Sequence, residues 1–163
     1  MFDKFGEMNS AEEINELAEN LKKEGDFEGL KTMAEENGIP SDFAELFQEG
    51  AIPYLCDPIT AANGKLDLET KELGLKGLML DWVEYIRGLC MENPEMAGSV
   101  RAKGKSLKDC MAKLLKHSFE NRAAVDKEIV KAAKITASRV EFGVPASGEA
   151  KKMIREFYLG GGK

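Results

Sequence analysis

Apolar residues recur at intervals of three and four along most of the chain, and each run opens on a capping side chain and closes near a glycine. That pattern predicts a series of amphipathic helices, because strands would alternate with a period of two. Ser10 and Glu13 form a capping box, and Ile14, Leu17, Ala18 and Leu21 follow at helical spacing until Gly25. Asp26 opens a second helix through Phe27, Leu30, Met33 and Ala34, ended by Asn37-Gly38. Ile39-Pro40-Ser41 starts a third through Phe43, Leu46 and Phe47, stopped at Gly50. Pro53 and Pro58 frame a short helical turn around Tyr54, Leu55 and Ile59. Short helices joined by tight turns predict a small helical bundle.

Asn63-Gly64 is a turn signal, and residues 64–69 read as extended or loop. Thr70 then caps the longest periodic segment, with Leu73, Leu75, Leu78, Met79, Trp82, Val83, Ile86, Leu89 and Cys90 on one stripe ending near Asn93. This is the expected core helix. Pro94 suits a first helical position, with Met96 and Val100 facing inward before Gly104. Ser106 and Asp109 cap a helix carrying Leu107, Cys110, Met111, Leu114 and Leu115. A further helix is expected from about Val125 to Ala137 through Ile129, Val130 and Ala133. Val140-Glu141-Phe142-Gly143-Val144-Pro145 has β-type residues but stands alone, so it reads as a connector. Ser147 caps a last helix with Ala150, Met153, Ile154, Phe157 and Tyr158, stopped by Gly160, after which residues 160–163 should fray. The expected fold is all-α, a compact multi-helix bundle, with no repeat of fixed period. At 163 residues the chain suits one domain, or an acidic short-helix bundle over residues 1–63 followed by a helical domain over 64–163, the two able to share one core.

Charge divides these two parts. Residues 1–100 hold 22 acidic and 8 basic side chains, a net −14, while residues 101–163 hold 7 acidic and 15 basic, a net +8. The N-terminal helices are therefore acidic and the C-terminal helices basic, and the two should attract different partners or each other.

Candidate chemistry narrows the field by what is missing. Cys56, Cys90 and Cys110 have no paired spacing, which points to free thiols in a reducing cytoplasm, with Cys90 and Cys110 acting as small core hydrophobes. No apolar run approaches membrane-spanning length, so no membrane partner is expected. Gly104-Lys105-Ser106 has the tail of a phosphate-binding loop, but Ser99 stands where the motif needs its first glycine and no strand precedes it. The triplet reads as helix capping. His117, the only histidine, sits near a helix C-terminus, where it would meet the helix dipole. No catalytic residue, metal ligand or cofactor is assigned, and the chain reads as a binding protein with no enzymatic activity.

Two surfaces remain as candidates. Glu12, Glu13, Glu16 and Glu19, joined by Glu24, Asp26, Glu28, Glu35 and Glu36, form an acidic surface able to imitate a row of phosphates in another protein's nucleic-acid channel. Glu12, Glu13, Glu16, Glu19 and Glu24 are the expected protein-binding set. The opposite candidate is a phosphate-contacting set of Arg101, Lys103, Lys105, Lys108 and Lys116. With only Phe119 and Phe142 to stack on bases in residues 101–142, backbone contact is expected there over base readout.

The order of features from Trp82 to about Tyr158 resembles the PcfK-like family, small proteins of conjugative plasmids and other mobile elements. The resemblance is carried by Trp82-Val83-Glu84-Tyr85-Ile86, Glu92-Asn93-Pro94-Glu95-Met96-Ala97, Lys105-Ser106-Leu107-Lys108-Asp109-Cys110-Met111, Val140-Glu141-Phe142-Gly143-Val144-Pro145 and Met153-Ile154-Arg155-Glu156-Phe157-Tyr158. It covers roughly half the chain. The sequence departs from the family in having a single cysteine where a pair is common and a longer insert before Val140. The resemblance implies that residues 64–163 form a PcfK-like helical domain in a mobile-element protein. Some relatives are anti-CRISPR inhibitors of type II effector nucleases, so it also implies a host effector nuclease or its guide-bound complex as partner. A nucleic-acid-binding accessory factor of conjugation or replication, and a dimerising module using apolar surface of the Trp82 helix, are the alternatives.

Overall fold

The computed structural model describes residues 4–160, and among them the fold is all-α apart from one two-residue ribbon. The fraying expected at residues 161–163 lies outside the described residues. Three helices open the fold: α1 (Ala11–Glu24), α2 (Phe27–Glu36) and α3 (Ser41–Glu49). Ser10 Oγ accepts the Glu13 amide, while the Glu13 carboxylate returns to the amide of Asn9, one residue earlier than a standard capping box. Asp26 caps α2 by accepting the Gly29 N–H. Gly25 and Gly50 end α1 and α3 in the left-handed conformation. Ile14, Ala18 and Leu21 of α1 pack with Leu30, Met33 and Phe47, and Leu55 closes this first core from the connector that follows α3.

The segment expected to turn at Asn63-Gly64 is instead the middle of α4 (Pro58–Leu73), capped by Asp57, which accepts the Thr60 amide. The short helical turn framed by Pro53 and Pro58 is also absent, because Pro58 and Ile59 are the first residues of α4. Gly64 is there for close approach. A Cβ on it would lie 2.7 Å from the Gly38 carbonyl oxygen, and one on Gly38 would lie 2.3 Å from that of Gly64. Two bare backbones thus meet where the α2–α3 turn crosses α4. Ala61 belongs to the first core and Ala62 and Leu66 to the second, so α4 is shared by both. The boundary expected near residue 63 falls inside this continuous helix.

The second core is built by α5 (Leu78–Glu92), α6 (Pro94–Arg101) and α7 (Leu107–Glu120), closed by the C-terminal helix described below. The stripe expected to run unbroken from Thr70 to Asn93 is two helices. Thr70 lies within α4, and Gly74 and Gly77, both at positive φ, break the chain before α5. Val83, Ile86 and Cys90 are buried, whereas Leu78 and Leu80 are exposed. In α7 the expected inward set holds except for Leu115, which is 60% exposed.

Residues 121–144 depart furthest from expectation. The helix expected from Val125 to Ala137 shrinks to α8 (Lys127–Ala132), which buries no residue. Val140 to Pro145 does find a partner: β1 (Ala123–Ala124) pairs antiparallel with β2 (Glu141–Phe142). The last helix, α9 (Ser147–Leu159), takes Ala146 as its N-cap with no side-chain bond, so Ser147 is its first residue and not its cap.

Candidate functional site

On α1 the capping box and the buried Ile14, Ala18 and Leu21 fix which side faces out. Glu12, Glu16 and Glu19 then fall within about 60° of arc at 3.6 residues per turn, with Glu13 and Glu24 at the edge. Glu12, Glu13, Glu16 and Glu24 are exposed and Glu19 is half-buried. Glu19 pairs with Lys23 at 3.8 Å, whereas none of Glu12, Glu16 and Glu24 forms an ion pair among the described residues. Asp26, Glu28 and Glu35 also reach the surface, Asp26 while capping α2. Glu36 does not belong with them. It is 9% exposed and its carboxylate accepts the amides of Lys4 and Phe5.

Of the phosphate-contacting set, Arg101 is removed by burial. It is 1% exposed, and its guanidinium donates to the carbonyls of Met8 (2.7 Å), Asn37 and Ala61 (both 3.2 Å) and to Asn37 Oδ1. Lys105 is engaged as well, donating to the Phe157 carbonyl and lying over that ring. Lys103, Lys108 and Lys116 are exposed, Lys116 with Glu120 at 3.8 Å. Ser106 Oγ accepts the Asp109 amide at 3.0 Å, so Gly104-Lys105-Ser106 is a helix cap. His117 lies in the last turn of α7, where its carbonyl accepts from Asn121.

Arg101 marks a polar seam between the two cores that sequence reading missed. Lys65 and Glu69 stand in the segment expected to be loop. As residues of α4, Lys65 pairs with Glu7 at 3.0 Å and Glu69 accepts the first amide of α7, that of Leu107. Burial raises the Glu69 carboxyl above its ordinary range. Leu68 and Arg101 join these three in lining a cavity of about 550 Å³.

Among the described residues, no side-chain ion pair joins residues 4–100 to residues 101–160.

The three thiols are all buried. Burial pushes Cys56 and Cys110 up to about 12 and Cys90 to about 11. The folded protein should therefore resist a thiol reagent at pH 8 and react fully once denatured; fast labelling of the native chain would contradict this. Because these folded-state values are raised, the associated stability is present below the unfolded thiol value of about 8.5. It should fall as pH rises from there toward 11–12.

Among the described residues no cluster of three or more His, Cys, Asp or Glu side chains could hold a metal ion, and no helix is long and apolar enough to cross a membrane. Compared with family models, curated proteins and solved structures, the chain finds no match in any of the three.

Proposed function

We propose that this chain is a non-enzymatic mobile-element protein that binds a host nucleic-acid-handling protein and obstructs it, the target being a type II CRISPR effector nuclease. The observation that carries the reading is the exposed, cation-free carboxylate set Glu12, Glu16 and Glu24 on a rigid, doubly capped helix. Such effectors hold nucleic acid in strongly positive channels, and a group of exposed carboxylates on one helix competes with phosphate for those cations. The resemblance of residues 82–158 to the PcfK-like family supplies the context.

Cleavage of target DNA by a purified, guide-loaded type II effector should fall as this protein is added. The triple variant Glu12→Lys, Glu16→Lys, Glu24→Lys should lose at least about tenfold in potency through like-charge repulsion at the channel. These side chains are solvent-exposed, so the helix itself should survive, which circular dichroism would verify. Inhibition undiminished in the triple variant would remove α1 as the contact surface, and full cleavage at every dose would remove the reading.

A further inference from the structure

Residues 121–144 contain no buried residue, yet they fold into β1, α8 and β2 around a cavity of about 530 Å³. A six-residue helix and a two-residue ribbon are each too short to persist alone. The arm meets the bundle closely at Gly143, where a Cβ would lie 1.9 Å from the Ser118 carbonyl oxygen of α7. Its cavity is lined by Val125, Val130 and Ile135 and by the cations Lys127, Lys131 and Arg139.

We propose that this arm binds a strand of single-stranded nucleic acid, with one nucleotide entering the cavity. The volume suits a nucleotide, and the walls offer what it needs: apolar side chains for the base and cations for the phosphates beside it. Lys127, Lys131 and Lys134 are exposed and make no ion pair among the described residues, whereas Arg122 and Arg139 share Glu141. The remaining carboxylates are Asp126, which caps α8, and Glu128. Exposed aromatic rings stand at both ends of the arm, Phe119 at 66% with Arg122 stacked 4.0 Å above it and Phe142 at 69%. A concave site of this size takes an unstacked base, which a duplex does not present.

This site does not depend on the α1 carboxylates or on an effector nuclease, so its test needs no effector. Fluorescence anisotropy of the full chain with labelled single-stranded DNA, single-stranded RNA and duplex DNA should show salt-sensitive binding to a single strand, and the two single strands report which sugar is preferred. The variant Lys127→Glu, Lys131→Glu, Lys134→Glu should weaken that binding at least about tenfold and make the slope of log affinity against log salt shallower by about 2. Lys103→Glu, Lys108→Glu, Lys116→Glu should lose much less than the arm variant, since those lysines belong to the α6–α7 connector and α7 and not to the arm. No binding to any oligonucleotide at low salt would overturn the proposal, as would equal binding of duplex. Loss confined to the Lys103, Lys108, Lys116 variant would overturn it too.

Discussion

Arg101→Met should destabilise the protein by about 3–5 kcal/mol, because it strips the donors from acceptors on the buried Asn37 and Ala61 and the partly buried Met8. The Met8, Asn37 and Ala61 carbonyls and the Asn37 side-chain oxygen all take hydrogen bonds from this one guanidinium. Asn37 is itself fully buried, and it also accepts the Met8 amide and donates to the Gly6 and Met33 carbonyls. Arg101 therefore ties the N-terminal segment, the α2–α3 turn and α4 to α6. Lysine cannot replace it, since an ammonium lacks the planar fork that reaches acceptors on three sides. For a chain of this length the loss corresponds to a melting temperature lower by roughly 10–15 °C. A thermal melt of Arg101→Met that moves by less than a few degrees would refute the seam as a stabilising element.

Gly38→Ala should cost about 2–4 kcal/mol, from two additive causes. Gly38 has φ +72°, which an alanine tolerates poorly, and the new methyl would press on the Gly64 backbone, which cannot swing aside as a side chain could. Gly25 provides the comparison: its φ is +74°, but a Cβ there meets nothing within 4 Å. Gly25→Ala should cost only the conformational share, about 1 kcal/mol. Equal losses for the two variants would mean that the crossing of the turn and α4 is not close. Combining Gly38→Ala with Arg101→Met should cost less than the sum, because both act on the same turn.

This seam explains how far the sequence could be read. Helix starts and stops in the first fifty residues were legible because Ser10, Asp26, Gly25 and Gly50 act within one turn of their own position. Gly64 misleads because a glycine required by a neighbour twenty-six positions away along the chain does not differ, in sequence, from a glycine required by a turn; only the position of Gly38 separates the two. The same error hid Lys65 and Glu69 by leaving them in a supposed loop. The sequence groups Arg101 with surface lysines because its charge is local information and its burial is not. Glu36 reads as part of the acidic surface for the same reason. The carboxylates of α1 were legible because exposure on an amphipathic helix follows directly from its period. The arm was half legible: its apolar residues suggested one helix, whereas the ribbon depends on Ala123 meeting Phe142 across nineteen positions of chain.

The most direct test of the proposed function is a binding competition between this protein and target DNA for one purified, guide-loaded type II effector, followed by sizing chromatography. Mutual exclusion is the predicted result, with the protein co-eluting with the effector and displaced target DNA eluting free. A stable assembly containing effector, target DNA and this protein together, or no association with the effector at all, would contradict it.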